Sequence, residues 1–350
     1  MPEEYPHKIA LLGLGTIGLS MLAMHLRRPD TTITVYDPRP DYETQIRTIL
    51  PALLPQSQSQ SQSQSQSHES QSNPIDTLIS TTRLKLATNL SEAIQNATII
   101  QEQSPETTVS KQALWKEISK LTGPNTHLWS SSSGIPASVQ SATCDIADRV
   151  AERLIIVHPF NPPHIMPLVE VVPGPRTEVE RVDFVRGYFG GIPGPGAGVG
   201  AGPGREEGGH YRAITLNKEI SGFVGNRLAF ALLREACYLV GEGVVSAEDL
   251  DSIVMASLGP RWAGSGVFES YHAGGGEGGI GAFLQKLAPT IQEVWRDLGK
   301  VDIEGEHGWK DSVVRQTEEA YGVYTPEKRK KKEEMLAEVV EMQKKKWTEL

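Results

Sequence analysis

The chain has only two cysteines, Cys144 and Cys237, in 350 residues. Two cysteines build no disulfide framework, and a chain of this length needs none, so a reducing compartment such as the cytoplasm is expected. No run of about 18 apolar residues occurs, the length a membrane-spanning helix requires, and no membrane partner is expected. The opening Met1-Pro2-Glu3-Glu4-Tyr5-Pro6 is acidic and lacks an apolar signal region. The closing Thr348-Glu349-Leu350 shows no peroxisomal or lipidation signal. Positive charge is also in deficit: 34 Lys and Arg face 43 Asp and Glu, for a net charge of -9. A phosphate backbone calls for a concentrated basic face, so nucleic acid is not an expected partner.

What is present is ordinary for a globular protein: 38% hydrophobic and 22% charged residues, over a length that accommodates two domains. Lys8 to Leu12 reads as a short apolar strand. Gly13-Leu14-Gly15-Thr16-Ile17-Gly18 follows at once, and Leu19, Leu22, Ala23 and Leu26 then recur at helical spacing. Thr31 to Tyr36 is a second, β-branched strand closed by Asp37. Strand, glycine turn, helix, strand and acid make one β-α-β unit. The glycines Gly13, Gly15 and Gly18 let backbone N–H groups approach a pyrophosphate seated on the helix N-terminus. Asp37 is placed to accept from adenosine ribose hydroxyls, and its charge opposes a 2′-phosphate, which favours NAD over NADP. Arg39 nearby works against that preference.

Strands are expected at Leu84–Thr88, Ala97–Gln101, Thr126–Trp129 and Ala213–Leu216, with helices at Asp41–Leu54, Leu90–Asn96 and Glu106–Leu121. A strict Gln-Ser alternation and a Gly/Pro-rich stretch interrupt the pattern. Both read as disordered inserts, at about 55–74 and 187–210.

Leu154 to Val157 is a short β-branched run ending at His158, and Pro159, Pro162 and Pro163 then hold an extended turn. Leu168 to Val172 reads as the returning strand, with the carboxylate of Glu170 inside its apolar run. A buried carboxylate requires a partner, and His158 across the turn is the obvious one. A histidine held by a carboxylate is a general-base arrangement. The serine run Ser130–Ser133 opens at a strand end, the edge where open parallel sheets bind ligands. Beyond residue 217 the chain reads as helical. From Phe223 to Gly241 an apolar stripe (224, 228, 231, 232, 236, 239) looks fit for burial, and 326–350 reads as a charged terminal helix.

Taken together, Gly13-x-Gly15-x-x-Gly18, Asp37, the serine run with Gly134, His158-Pro-Phe-Asn-Pro-Pro, Leu-Val-Glu170-Val-Val and Gly222-Phe-Val-Gly-Asn226-Arg-Leu resemble the L-3-hydroxyacyl-CoA dehydrogenase family. The serine run and Leu-Gly259-Pro-Arg261-Trp262 are most similar to its lambda-crystallin / L-gulonate 3-dehydrogenase branch and that branch's carnitine dehydrogenase relatives. The resemblance implies an α/β fold, a Rossmann-type doubly wound sheet over 1–217, followed by an all-α domain over 218–325. It implies NAD as cofactor and hydride transfer to it from C3 of a small, L-gulonate-like L-3-hydroxy acid. His158 would be the base and Glu170 its orienting partner; Ser133 and Asn226 would contact the substrate oxygen. Thr16 and Ile17 would lie along the pyrophosphate, and Glu106 and Lys111 would contact the cofactor. A homodimer formed through the helical domain is implied as well. The alternatives are a CoA thioester substrate, L-carnitine, or an NAD(H)-binding protein without turnover. Asp41–Thr82 holds no lysine and a single Arg47, which argues against a CoA phosphate site.

Overall fold

The computed structural model describes residues 6–54, 73–145, 149–193, 211–304 and 308–347, with side chains through 343. The chain divides into two compact units, meeting between Val224 and Gly225.

The first unit alternates strands and helices: β1 (His7–Leu12), α1 (Thr16–His25), β2 (Thr31–Tyr36), α2 (Tyr42–Leu53), α3 (Pro74–Ser80), β3 (Leu84–Leu86), α4 (Leu90–Ile94), β4 (Ile99–Glu102), α5 (Thr108–Leu121), β5 (His127–Ser130), α6 (Ala137–Gln140), α7 (Val150–Arg153), β6 (Leu154–Pro159), β7 (Leu168–Pro173), α8 (Val179–Gly190) and β8 (Arg212–Thr215). The strands form one sheet in the order β3-β2-β1-β4-β5-β6-β7-β8. All neighbours pair in parallel except β6 and β7, the antiparallel pair in which His158 lies opposite Glu170. Burial is complete along β4 and β6 because helices cover both faces of the sheet, and strands covered twice read as unbroken apolar runs. Alternate side chains feed two separate layers. Ile155 and Val157 join Trp129, Leu22 and Phe189 on one side. Leu154 and Ile156 join Trp115, Ile118 and Phe223 on the other.

Three boundaries differ from expectation. The Gly/Pro-rich insert does not begin at 187, because α8 continues through Gly190. Two glycines in a helix cost about 1 kcal/mol each. Tyr188 and Phe189 are 2% and 0% exposed, and burying each aromatic returns about 1.5–3 kcal/mol. Likewise the Gln-Ser insert gives way before 74, where the Asn73 side chain accepts from the Ile75 N–H and caps α3. The remainder of both inserts lies outside the described residues. The first unit also extends past 217: the Gly222 N–H donates to the Gly134 carbonyl and the Val224 N–H to Glu170, which ties this segment to the sheet.

The second unit is helical: α9 (Gly225–Gly241), α10 (Ala247–Ile253), a π turn at Val254–Leu258, α11 (Gly259–Gly264), α12 (Val267–Gly274), α13 (Gly279–Asp297), α14 (Gly308–Tyr321) and α15 (Pro326–Trp347). Within it α14 packs on α9 and α10, and α12 on α13. The charged helix α15 belongs to this unit through Gln343, whose amide donates to the Ala263 carbonyl, and through Val340, 2% exposed. The α9 stripe is not buried as its spacing suggests: Leu228 is 62% exposed and Leu232 41%. An apolar stripe marks a face that needs a cover, and the described residues leave Leu228 and Leu232 without a complete one. Among the described residues no helix is long and apolar enough to cross a membrane.

Candidate active site

β1, β4, β5 and β6 run parallel, so their carboxyl ends share one edge of the sheet. Chain order reverses between β1 and β4, the position where open α/β sheets form a ligand crevice. Gly13 leaves β1 with φ +92, and a Cβ there would stand 2.8 Å from the Gln103 carbonyl oxygen. A Cβ on Gly18 would stand 2.0 Å from the Gly13 carbonyl oxygen, so only glycine lets α1 pack this close to the turn. Gly15 is the opposite case. Nothing lies within 4 Å of its Cβ position, and it caps α1 with no side chain on the first N–H groups. Thr16 and Ile17 open that helix at the same surface. This is a cradle for an anion: free backbone donors, the positive end of a helix and room above them. It suits the pyrophosphate of NAD.

The adjoining cleft, about 620 Å³, is lined by Tyr36, Pro38, Leu90, Pro105 and Leu114 around Asp37. Asp37 is 5% exposed. Burial by itself would raise its carboxyl, but the Arg39 guanidinium and the Leu14 and Arg39 N–H groups hold it down at about 2.

His158 sits on the same edge, at the end of β6. Its Nδ1 lies 2.8 Å from Glu170 Oε2, and His158 and Glu170 are 5% and 4% exposed. The other Glu170 oxygen accepts the Val224 N–H at 3.0 Å. The imidazole is flanked by Phe160 and Phe223, ring centroids 5.0 and 5.5 Å away. Phe223 adopts a left-handed φ of 51 while fully buried, a costly conformation for a bulky residue that the surrounding packing must sustain. With Nδ1 engaged by the carboxylate, Nε2 is the nitrogen left to exchange a proton.

Glu106 organises the serine loop. Its Oε1 accepts from Ser132 Oγ at 2.6 Å, from the Ser133 and Gly134 N–H groups at 2.9 and 3.2 Å, and from Ser133 Oγ at 3.3 Å. Burial would raise the Glu106 carboxyl, but Ser132 and the Lys111 ammonium outweigh it and hold it below its usual range. Lys111 lies behind Glu106. Its ammonium, 1% exposed, lies 2.9 Å from Glu102 Oε1 and 3.2 Å from Glu106 Oε2, and it also donates to the Ser104 carbonyl. An ammonium has three donors, so the geometry makes Lys111 a prop beneath Glu106 rather than a surface contact. Glu102, fully buried, further accepts from Ser130 Oγ, Ser104 Oγ and the Ser104 N–H. Asn226 lies in the first turn of α9, in the helical unit.

Residues 8–193 match the model of the 3-hydroxyacyl-CoA dehydrogenase NAD binding domain, and residues 222–305 that of the 3-hydroxyacyl-CoA dehydrogenase C-terminal domain. The chain belongs to the 3-hydroxyacyl-CoA dehydrogenase family. It is 31% identical to an L-carnitine dehydrogenase of Streptomyces coelicolor, over 91% of this chain and 88% of that one. It is 30% identical to an L-carnitine dehydrogenase of Oceanobacillus iheyensis, over 96% and 97%. A 3-hydroxyacyl-CoA dehydrogenase of Gibberella moniliformis is 31% identical, over 88% and 80%. Among solved structures, an NAD-dependent 5-formyl-3-hydroxy-2-methylpyridine 4-carboxylic acid 5-dehydrogenase superposes with a TM-score of 0.68 at 24% identity, over 96% and 97%, a likeness of fold. The chain is thus an NAD-dependent dehydrogenase acting on a hydroxyl group, with a Rossmann-type unit and a helical unit.

Several residues of this dehydrogenase site escape a reading of the sequence. Glu102 had a signal: like Glu170, it is a carboxylate within an apolar strand, here at the end of Ile99-Ile100-Gln101-Glu102. The backbone role of Phe223 and Val224 had none, since it depends on a left-handed turn following Gly222.

Proposed function

We propose that this dehydrogenase oxidises the 3-hydroxyl of a small 3-hydroxy acid, with L-carnitine as the first candidate and L-gulonate as the second. The single observation that carries the reading is the buried 2.8 Å contact of His158 Nδ1 with Glu170 on the cofactor edge of the sheet. NAD, when bound, supplies the hydride acceptor. His158 Nε2 takes the proton of the substrate hydroxyl. Glu170 fixes the ring tautomer and stabilises the imidazolium that results. Ser133, held by Glu106 at its N–H, and Asn226 position the substrate oxygen. Gly13, Gly15, Thr16, Ile17 and Gly18 receive the pyrophosphate, and Asp37 accepts from the adenosine ribose. Lys111 keeps Glu106 and the serine loop in place.

A carnitine-like substrate is favoured by the named activities of the Streptomyces and Oceanobacillus relatives and by the lysine-free stretch from 41 to 82. The Gibberella relative supports the second reading, a CoA thioester. A homodimer accounts for the exposed α9 stripe, with a second copy of the chain as its cover. The deciding assay follows NADH formation from L-carnitine, L-gulonate, free 3-hydroxybutyrate and 3-hydroxybutyryl-CoA. The expected result is turnover of a free acid with a kcat/KM well above that for the thioester. Preference for the thioester would overturn the small-acid reading. Binding of NADH with no turnover of any of the four would favour a binding protein.

A further inference from the structure

Every acceptor position of Asp37 is already taken. Oδ2 accepts from the Leu14 N–H at 2.7 Å and from Arg39 Nη2 at 2.8 Å. Oδ1 accepts from the Arg39 N–H at 2.9 Å and from Arg39 Nε at 2.8 Å. A carboxylate offers about four lone-pair positions, so none remains for a ribose diol. The two backbone donors belong to the turns that shape the cleft. The other two come from a guanidinium at the end of a flexible stem, 44% exposed while its partner is 5% exposed. Of the four donors, only the Arg39 side chain can leave without unmaking the fold. Arg39 is also the one cation among the described residues lining the cleft, where Asp37 and Glu117 are the anions.

We propose that the Arg39 side chain is a displaceable occupant of the ribose site and thereby sets cofactor discrimination. The adenosine ribose takes from Asp37 the two acceptor positions that the guanidinium holds. The released guanidinium then stands at the mouth of the cleft, the one cation among the described lining residues able to attract a 2′-phosphate. The inference rests on reading Asp37 as the ribose acceptor. It adds that NAD binds in competition with an internal ion pair, and that preference for NAD reflects the balance between these two neighbours rather than Asp37 alone. The competing pair is half in water, so its displacement costs little and lowers affinity without preventing binding.

The test titrates NADH and NADPH into the intact protein, following nicotinamide fluorescence, for wild type, Arg39→Ala, Asp37→Ala and the double variant. Arg39→Ala is expected to bind NADH roughly two- to fivefold more tightly, the worth of one partly exposed ion pair, and NADPH more weakly than wild type does. Asp37→Ala frees the guanidinium and removes the repelling charge, so NADPH should bind at least about tenfold more tightly than in wild type, through a charge-assisted contact. The double variant should lose most of that gain. If Arg39→Ala leaves NADH binding unchanged or weaker while Asp37→Ala still shifts preference, the guanidinium is no competitor and the inference fails with the ribose reading intact. If Asp37→Ala leaves the preference unchanged, the ribose reading fails and the inference with it. Arg39→Met keeps the apolar stem, and a matching result there excludes an effect of lost packing.

Discussion

In the unit that ends at Val224, Trp115, Trp129, Phe189 and Phe223 are fully buried, whereas in the helical unit Phe230 is 59% exposed, Trp295 64% and Phe268 78%. The two units contain similar side chains but place them differently. The first lays helices on both faces of one sheet, so the apolar residues of the central strands meet a cover made by their own unit. The second makes its helices amphipathic and then leaves α9 largely bare: Cys237 and Val240 are its only buried apolar side chains among the described residues. Each large side chain left in water forgoes about 1.5–3 kcal/mol of burial. A unit built this way is completed by another surface, and a second copy of the chain is the cover we infer.

The proton transfer assigned to a residue of the first unit should be removable there alone. His158→Ala is expected to lower turnover by at least about 100-fold, the typical worth of a positioned general base. NADH binding should stay near the wild-type value, because the cradle at Gly13–Gly18 lies on other strands. Parallel loss of turnover and NADH affinity would mean that the sheet edge itself had been damaged, and would withdraw the role given to the imidazole. The milder Glu170→Gln keeps the volume of the side chain and should lose turnover in the same direction but less steeply.

The corresponding test of the second unit is association. Leu228→Asp puts a charge into the exposed stripe of α9. If two copies each bury this leucine on assembly, the loss is about 3–6 kcal/mol per dimer, a weakening of at least about 100-fold. Sedimentation of wild type at micromolar concentration should give a dimer and the variant a monomer, with the binding of NADH retained. A monomeric wild type would remove the second copy as the cover.

The difference between the units also explains how much could be read in advance. The β-α-β unit was legible because strand, glycine turn and acid are contiguous, and each glycine answers a local steric demand. His158 and Glu170 were legible because a short turn makes them register partners in one antiparallel pair. The Glu102–Lys111–Glu106 stack was not, because it joins the end of β4 to α5 and the serine loop through buried side chains that no single spacing reveals. The start of the Gly/Pro-rich insert falls too early at 187 when read from its glycines, since Tyr188 and Phe189 outweigh them only once Trp129 is known to lie 5.2 and 5.7 Å from their rings. The stripe of α9 is legible as a pattern, but the burial expected of it is not what the structure shows. Its cover is not legible, because a pattern on one chain does not state whose surface completes it.

The smallest expected effect separates the units by pH. His25, on α1, is fully buried, with Nδ1 2.7 Å from the Tyr188 hydroxyl and Nε2 2.7 Å from Gln101 Oε1. Burial, only partly offset by Gln101, lowers its pKa to about 4 from 6.5. Burial also lowers His127 and His164, both in the first unit, to about 4. Between those pH values the unfolded chain binds a proton at each position that the folded chain refuses. Stability is therefore present in full above pH 6.5 and is lost as pH falls toward 4, on the order of 1–3 kcal/mol for His25. His25→Gln cannot titrate. It should be somewhat less stable than wild type at pH 7.5, through imperfect packing, and should lose less on going to pH 5. Urea midpoints read from the near-ultraviolet signal, to which the buried Trp115 and Trp129 contribute, follow the loss of this core. An unchanged pH slope in the variant would take His25 out of the account and leave His127 and His164 as the source. No pH slope even in wild type would mean that the histidines of the first unit take up protons without opening its core.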